Sequence, residues 1–297
     1  MPRSSALGEV RRRPEFLGPV RVHRYHSSVT RLALLGGGRM GEALIAGLLD
    51  AGWDADALAV AEVDAERRRG LEAGFPQVRV VPSPAWAVPE AEVVVVAVKP
   101  DDVVGALEAA LPALADDALV LSIAAGVTIA ALEQVLPGRP VVRAMPNTPA
   151  LIRAGVAAIA CGTDATDAHL ELAERVLGAV GVVVRVPETQ LDAVTGLSGS
   201  GPAYVFLVAE ALIEAGVLAG LTWETSRTLV TQTLLGSARL LAEGADPPGL
   251  LRAAVTSPGG TTAAGLAVLE QHGVRAALLS AVQAAAERSR ALGRPGG

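Results

Sequence analysis

The sequence predicts an α/β protein in which a doubly wound parallel sheet is followed by an all-α domain. From residue 31 to about residue 144, short apolar runs alternate with longer segments of helical character. Such strand–helix–strand repetition with short links is typical of a doubly wound parallel sheet. After Pro187 no strand pattern recurs, and a helical pattern continues as far as Leu292. We therefore expect a sheet domain at residues 31–187 and a helical domain at residues 188–297.

The elements of the sheet domain are placed by their apolar runs. Residues 93–98 are all Val or Ala, without polar alternation, which is typical of a strand covered on both faces. Strands are predicted at residues 32–35, 58–61, 78–81, 93–98, 119–123, 141–143, 155–160 and 182–186. Helices are predicted at 41–49, 65–73, 103–111 and 168–177, and the later helical pattern has breaks at 199–202, 246–248 and 257–260.

Composition narrows the class of protein. The chain has 297 residues, of which 51% are hydrophobic and only 3% aromatic, so its core must consist of Ala, Val and Leu. A net charge of −6 argues against a nucleic-acid partner. The single cysteine, Cys161, excludes a disulfide within the chain and a zinc-binding thiolate cluster. Because this cysteine usage suits a reducing compartment, we expect a cytoplasmic protein.

The first thirty residues form a separate region. Residues 1–30 contain six arginines and two glutamates and show no sustained helical or strand period. We interpret them as a disordered extension, or as the product of a start codon placed too far upstream. An organelle transit peptide is the alternative, because such segments are rich in Arg and Ser and poor in acids.

One helix of the second domain is apolar on nearly every side. Within residues 202–220 only Glu210 and Glu214 are charged. Such a helix must be buried all round, and a helical domain of this size can hardly bury it alone. We therefore expect an obligate homodimer with this helix at its centre; the alternative is the central helix of a monomeric bundle. The charge-free residues 193–209 contain three glycines and Pro202, so no membrane span is expected.

A glycine motif lies directly after the first predicted strand and before the first helix. Residues 36–41, Gly-Gly-Gly-Arg-Met-Gly, match G-x-G-x-x-G, the fingerprint of a Rossmann-type dinucleotide-binding fold. We expect Gly36 to permit the tight turn, Gly38 to let the pyrophosphate approach the backbone, and Gly41 to allow close helix–strand packing. The amino terminus of the helix then offers unpaired N–H groups to the phosphates.

The residue that ends the second strand bears on the choice of cofactor. Glu62 is placed to accept hydrogen bonds from a ribose 2′-hydroxyl, which favours NADH. However, Arg67, Arg68 and Arg69 follow closely and could neutralise a 2′-phosphate, although we interpret them as a solvated helix face. The sequence therefore leaves the choice between NADH and NADPH open.

The chain contains a single lysine, and this excludes one class of dehydrogenase. Val98, Lys99 and Pro100 close the fourth strand and so lie at the ligand edge of the sheet. Sugar-acid and 3-hydroxyacid dehydrogenases of similar plan use a lysine in the helical domain, where this chain has none. No H-x-x-x-H pair is present, so we expect no metal site.

These absences indicate a reaction that needs little proton chemistry from side chains. Hydride transfer to an already protonated imine meets this condition, because the iminium carbon is a strong electrophile and the product amine keeps its proton. The protein then only has to hold the imine carbon and a nicotinamide within about 3.5 Å.

Five segments together resemble the pyrroline-5-carboxylate reductase family. They run in family order from residue 31 to residue 292, and they are residues 36–43, 97–100, 143–149, 198–204 and 254–262. The last segment, Ala-Val-Thr-Ser-Pro-Gly-Gly-Thr-Thr, is highly specific. The resemblance implies reduction of 1-pyrroline-5-carboxylate to L-proline by NADPH or NADH, the last step of proline biosynthesis.

The resemblance also implies which residues form the site. Thr262 is the implied catalytic residue, which hydrogen-bonds the ring nitrogen; without the resemblance it would be taken for a helix cap. The implied substrate-binding residues are Ser257, Gly259, Gly260, Thr261 and Thr262. The implied cofactor-binding residues are Gly36, Gly38, Arg39, Met40, Gly41, Glu62, Val98, Lys99, Pro100, Ala124, Met145 and Asn147.

For the assembly, the resemblance implies interlocked helical domains in a homodimer and the further assembly of dimers into decamers.

Two residues depart from the family pattern: Arg39 stands where Asn is common, and Glu62 stands where Ser or Arg is common. Two alternative functions remain open. One is the reduction of another cyclic imino acid, such as a six-membered ring, and the other is a non-catalytic NAD(P)H-binding regulator.

Overall fold

The computed structural model describes residues 30–293, so the predicted extension at residues 1–30 lies almost entirely outside the described residues. The strands are β1 (Leu32–Leu35), β2 (Leu58–Ala61), β3 (Arg79–Val81), β4 (Val93–Val96), β5 (Leu119–Ser122), β6 (Val141–Met145), β7 (Gly155–Cys161) and β8 (Gly181–Arg185). Each predicted strand is present, and its ends differ from the predicted ones by no more than two residues.

Helices separate most of these strands and, with short loops between them, form the chain after β8. They are α1 (Arg39–Asp50), α2 (Ala65–Gly74), α3 (Pro84–Ala87), α4 (Val103–Ala110), α5 (Ile129–Val135), α6 (Asp167–Gly178), α7 (Leu191–Val194), α8 (Gly201–Leu218), α9 (Trp223–Glu243), α10 (Pro248–Ala254), α11 (Thr261–Gln271) and α12 (Val274–Leu292). Short 3₁₀ turns at Pro100–Asp102 and Thr148–Ile152 follow β4 and β6.

Within residues 30–293 the strands form one sheet in the order β3-β2-β1-β4-β5-β6-β7-β8. The first six strands pair in parallel and reproduce the order of a Rossmann fold. This order reverses between β1 and β4, and in such sheets the ligand binds at the carboxyl ends of the strands beside the reversal. The predicted doubly wound α/β architecture is therefore confirmed.

The prediction of a wholly parallel sheet is wrong at its far end. β7 pairs antiparallel with β6, and β8 continues parallel to β7. Only residues 146–154 connect β6 to β7. A parallel connection needs a crossover of about a dozen residues or more, so this short link returns the chain antiparallel.

The core lies on both faces of the sheet. Alternate residues of one strand belong to different clusters: Leu32 and Leu34 contact one cluster, whereas Ala33 and Leu35 contact the other. β4 behaves in the same way, and all four of its valines are fully buried. Since successive side chains of a strand point to opposite faces, this pattern confirms strands that are covered on both sides.

The chain divides into two compact units. One comprises Leu212–Leu269, and the other comprises residues 30–211 together with residues 270–293. The division falls within α8 and α11 rather than at a loop. The domain boundary that the sequence predicts at residues 187/188 coincides with neither point of division, and it stays a prediction.

Two of the three predicted helix breaks are present, and the third takes another form. Loops separate α9 from α10 and α10 from α11, as expected. At the predicted break, residues 199–202, a π-helical turn at Thr195–Gly199 is followed by α8 with only Ser200 between them. Pro202 lies in the first turn of α8, where a missing N–H breaks no helical hydrogen bond.

This continuity bears on the expectation that the chain has no membrane span. The helical run Glu188–Leu218 is long and apolar enough to cross a membrane by length and composition, and its most apolar 18-residue stretch has a mean hydropathy of 1.5. The glycines and Pro202 therefore do not exclude a span in the way that the sequence suggested. A core helix of a soluble protein meets the same two criteria.

Candidate functional site

In the glycine turn between β1 and α1, two of the glycines are closely packed and one borders open space. Gly36 has a φ of +103°, and a Cβ there would lie 2.8 Å from the Ala97 carbonyl oxygen. A Cβ at Gly41 would lie 2.3 Å from the Gly36 oxygen. A Cβ at Gly38, by contrast, would meet nothing within 4 Å. Gly36 and Gly41 are therefore required for packing, whereas Gly38 borders open space that a diphosphate can enter.

The amino end of α1 supplies hydrogen-bond donors next to this space. Gly38 caps the helix without a side chain, and the first helical bond runs from the Glu42 N–H to the Gly38 oxygen at 2.9 Å. The N–H groups before Glu42 have no intrahelical acceptor. Together with the helix dipole they favour an anion, so Arg39 and Met40 contribute main-chain donors where the sequence predicted phosphate binding.

Glu62 lies at the end of β2, and its carboxylate is bound to the glycine turn. It is buried, with 5% of its surface exposed. Its Oε2 accepts from the Gly37 N–H at 2.9 Å, and its Oε1 accepts from the Asp64 N–H at 2.9 Å. A Cβ at Gly37 would lie 2.3 Å from a Leu71 methyl group, so a larger residue there would displace that side chain. The sequence identified Glu62 but not this link to Gly37.

The arginines of α2 do not behave alike, which corrects their interpretation as one solvated face. Arg67 and Arg69 are exposed. Arg68 is half-buried, and its Nη1 donates to the carbonyl oxygens of Glu62 at 2.9 Å and Val63 at 2.7 Å. Arg68 therefore covers the carboxyl end of β2.

Asp64 adds a second carboxylate at the same place. It caps α2 by accepting from the Arg67 N–H at 2.8 Å. This backbone hydrogen bond lowers the pKa of the Asp64 carboxyl below its ordinary value, despite partial desolvation. Asp64 is therefore ionised at neutral pH.

Two further strand ends complete the edge. Val98 packs close to Gly36, because a Cβ on that glycine would lie 3.0 Å from the Val98 Cγ1. Lys99 and Pro100 follow and are exposed. After β5, the Ala124 N–H donates to the buried Ser122 Oγ at 3.4 Å. The predicted cofactor residues from β1, β2, β4 and β5 thus lie at the carboxyl ends of neighbouring strands.

Asn147 and Met145 hold the chain after β6 rather than offering free side chains. The Asn147 Oδ1 accepts from the Val156 N–H at 2.9 Å, and its Nδ2 donates to the Ser198 oxygen at 3.2 Å. The Met145 Cε lies 2.7 Å from where a Cβ on Gly199 would be. The sequence predicted both as cofactor residues, but their side chains position the π-helical turn at Thr195–Gly199.

An ion pair between a buried arginine and a half-buried glutamate was not predicted. The Arg143 Nη1 on β6 lies 3.0 Å from the Glu188 Oε1, and Arg143 is buried. The same oxygen accepts from the Ile129 N–H at the start of α5, at 2.7 Å. An Arg in an apolar strand followed by a distant Glu gives no pairing signal in one sequence, so this contact could not have been found.

The loop between α10 and α11 is a tight turn. The Gly260 N–H donates to the Ser257 oxygen at 3.0 Å, Pro258 follows Ser257, and Gly259 has a φ of +69°. Proline followed by a glycine of positive φ is the sequence of a type II turn. A Cβ on Gly260 would lie 2.2 Å from the Ser257 Oγ, so a larger residue there would force the Ser257 side chain to move.

Thr262 is not the cap of α11. The first helical bond runs from the Ala264 N–H to the Gly260 oxygen at 3.1 Å, which makes Gly260 the capping residue. The N–H groups of Thr261 and Thr262 therefore have no intrahelical acceptor. Thr262 is exposed, and its hydroxyl makes no hydrogen bond to any of residues 30–293. This hydroxyl and these amides can bind a small carboxylate.

Within the described part of the chain, no group of three or more His, Cys, Asp or Glu side chains could hold a metal ion.

The glycine turn, the strand order and the acid after β2 define a dinucleotide-binding protein of the Rossmann type with an added helical region.

Comparison with known proteins places it more closely. Residues 188–292 match the family model for pyrroline-5-carboxylate reductase dimerisation, and residues 31–126 match the model for NADP oxidoreductase, coenzyme F420-dependent. The chain is 47% identical over 289 residues to the pyrroline-5-carboxylate reductase of Mycobacterium leprae, covering 90% of this chain and 98% of that one. It is 44% identical to the Synechocystis enzyme, covering 89% and 98%. The chain belongs to the pyrroline-5-carboxylate reductase family.

Solved structures agree with this assignment. A pyrroline-5-carboxylate reductase from Coxiella burnetii superposes with a TM-score of 0.86 at 36% identity, covering 90% of this chain and all of that one. The Plasmodium falciparum enzyme, solved with NADP bound, gives 0.79 at 31% identity, covering 89% and 98%. The predicted resemblance and fold class are confirmed.

Proposed function

We propose that this protein reduces 1-pyrroline-5-carboxylate to L-proline with NADPH or NADH, as the last step of proline biosynthesis. Family membership over nine-tenths of the chain supports this function. The observation that carries it is the turn before α11, where the exposed Thr262 hydroxyl and unpaired main-chain amides adjoin one another. An enzyme that binds a small imino acid needs such a set of donors.

The turn suits the substrate because of its chemistry. Free N–H groups at a helix start stabilise a carboxylate without an arginine, since the helix dipole adds to their partial charge. We assign the substrate carboxylate to the turn formed by Ser257, Gly259, Gly260 and Thr261. The Gly260 N–H closes this turn onto the Ser257 oxygen, and the Thr261 N–H is left free to donate to the carboxylate. We assign the hydrogen bond to the ring nitrogen to the Thr262 hydroxyl.

The dinucleotide is assigned to the carboxyl edge of the sheet. The open space at Gly38 and the unpaired amides of α1 fit a pyrophosphate. The proposed cofactor-binding residues are Gly36, Gly38, Arg39, Met40, Gly41, Glu62, Val98, Lys99, Pro100, Ala124, Met145 and Asn147. Of these, Glu62, Met145 and Asn147 also position other parts of the chain through the contacts described above.

The reaction needs binding and orientation more than acid–base catalysis. When bound, the reduced nicotinamide supplies a hydride to the C=N carbon, and the ring nitrogen of the protonated imine becomes the amine of proline. The Thr262 hydroxyl accepts a hydrogen bond from the protonated ring nitrogen and so holds the ring in one orientation. Fixing the reacting carbons within about 3.5 Å can supply several kcal/mol of the barrier reduction.

We further propose a cytoplasmic homodimer, with the assembly of dimers into decamers as the higher state. The match of residues 188–292 to a dimerisation model supports the dimer, and it favours a second protomer over lipid as the cover of the apolar run Glu188–Leu218. We retain residues 31–187 as the dinucleotide-binding domain and residues 188–297 as the helical dimerisation and substrate domain.

The function is tested by turnover of the purified protein with two cofactors and two imino acids. NADH or NADPH is combined with 1-pyrroline-5-carboxylate or with its six-membered homologue, and cofactor oxidation and product formation are followed. We expect L-proline formation, with a higher kcat/KM for the five-membered ring. One extra methylene changes binding by about 1–3 kcal/mol, so slower reduction of the homologue is compatible with the proposal.

Two outcomes would contradict the proposal. A higher kcat/KM for the six-membered ring would identify a different cyclic imino acid as the substrate. Cofactor binding without oxidation by either imine would identify a non-catalytic NAD(P)H-binding regulator.

A further inference from the structure

We infer that Glu62 makes the adenosine end of this site select a ribose with a free 2′-hydroxyl, so that the enzyme prefers NADH to NADPH. The inference rests on the proposed dinucleotide site and assigns its specificity to one residue. It concerns the nucleotide only and does not depend on the identity of the imine.

The orientation of the Glu62 carboxylate is fixed by the protein. One oxygen accepts from the N–H of Gly37 in the glycine turn, and the other accepts from the N–H of Asp64, both at 2.9 Å. The residue is 5% exposed. Two backbone donors on opposite oxygens prevent the carboxylate from turning away to make room for an anion.

The unused lone pairs of this carboxylate can accept hydrogen bonds, but the carboxylate has no hydrogen to donate. Each carboxylate oxygen has two lone pairs, and one on each oxygen is already used, so two remain. A ribose with both hydroxyl groups offers two O–H donors that match these acceptors. The oxygens of a 2′-phosphate are acceptors themselves, and at neutral pH they carry negative charge. A phosphate would therefore face a fixed, buried anion.

The charges around Glu62 act in the same direction. Asp64, two residues along, is a second anion whose ionised form is favoured by its cap on α2. Arg68 is the cation that opposes them, but its Nη1 is held by the carbonyl oxygens of Glu62 and Val63. Asp64, Arg67 and Arg69 are all exposed to solvent, so the effects of these three charges on a phosphate are screened. The buried Glu62 carboxylate is thus opposed mainly by Arg68, whose guanidinium is partly bound to the main chain.

The test measures binding of cofactor fragments that lack the nicotinamide. The probes are ADP-ribose and 2′-phospho-ADP-ribose, titrated calorimetrically into the full-length protein at constant salt. We expect the wild-type protein to bind ADP-ribose at least tenfold more tightly. In Glu62→Gln, which keeps the size of the side chain and removes its charge, we expect the ratio of the two Kd values to fall to about threefold or less.

A matched variant separates the position of Glu62 from a general loss of negative charge. Glu66 is an exposed acid in the first turn of α2, and its side chain makes no hydrogen bond to any of residues 30–293. In Glu66→Gln we expect the wild-type ratio within a factor of two. Melting temperatures of all three proteins show whether the Glu62 substitution has also loosened the glycine turn.

The wild-type ratio alone can overturn the inference, even if Glu62→Gln does not fold. Equal or tighter binding of the 2′-phospho probe would show that the arginines dominate the site. A folded Glu62→Gln protein that keeps the full wild-type ratio would show that another residue sets the preference. Neither result would bear on imine reduction, which is measured separately by proline formation.

Discussion

The three glycines named in the dinucleotide fingerprint have different steric tasks. A Cβ on Gly36 or Gly41 would collide with a main-chain oxygen, and main chain within a packed sheet cannot move aside cheaply. Gly38 has open space where its Cβ would be. Gly36 and Gly41 are therefore needed for packing, whereas Gly38 leaves space for the ligand.

This difference predicts opposite outcomes for two similar substitutions. Gly41→Ala should lower the free energy of unfolding by about 1–3 kcal/mol, because the new methyl group overpacks the turn. Gly38→Ala should change stability by less than about 1 kcal/mol but weaken NADH binding at least tenfold, because the methyl group enters the space for the pyrophosphate. Urea denaturation and calorimetric titration with NADH measure the two effects. Unchanged NADH affinity in Gly38→Ala would place the pyrophosphate elsewhere.

At the level of single residues, the sequence predicted which residues form the nucleotide site but not the contacts between them. The glycine turn and Glu62 were identified from their spacing along a strand–turn–helix unit. The bond from Glu62 to Gly37, and the two bonds of the Asn147 amide, join residues whose closeness depends on the tertiary fold. No spacing rule in one sequence encodes these contacts.

At the scale of elements, α8 is a helix whose apolar side chains the single chain leaves exposed. Its composition predicts burial on every side, yet Phe206 is 67% exposed and Leu207 is 64% exposed. Burying a side chain of this kind contributes about 1.5–3 kcal/mol. In a twofold dimer each contact occurs twice, so a few such residues suffice for tight association.

We expect one charge on this face to break the dimer. Phe206→Asp should shift the protein from dimer to monomer or cause it to aggregate, because it places a carboxylate in an apolar interface at two symmetry-related positions. Light scattering on a size-exclusion column, repeated over a dilution series, measures the mass.

Trp86→Asp is the matched control for this substitution. Trp86 is a large apolar residue that is 60% exposed on α3, outside the helical region, so its replacement should leave the dimer intact. A wild-type protein that elutes as a monomer at every concentration would contradict the account of α8.

Elements also show the limit of pattern analysis. The strands were found because uninterrupted apolar runs mark strands buried on both faces. The direction of β7 was not found, because it depends on the length of the link after β6 rather than on the pattern of β7 itself. The π-helical turn was predicted as a break, since glycine and proline weaken a helix without fixing which irregular form replaces it.

At the scale of the whole molecule, nucleotide binding and substrate binding are assigned to different compact units. The glycine turn lies in the unit that contains the sheet, and the turn at residues 257–260 lies in the unit Leu212–Leu269. The family assignment could be predicted from sequence because both turns are short, local motifs. The assembly could only be inferred from an apolar helix, because its sequence shows that the helix must be covered but does not identify what covers it.

The account depends most directly on the Thr262 hydroxyl, and steady-state kinetics with 1-pyrroline-5-carboxylate test it. Thr262→Ala should fold with an unchanged melting temperature, because the hydroxyl is exposed and unbonded, but its kcat/KM should fall roughly 10- to 100-fold through loss of a charge-assisted hydrogen bond. Thr262→Ser keeps a hydroxyl at position 262 and should retain most activity. An unchanged kcat/KM in Thr262→Ala would contradict the account.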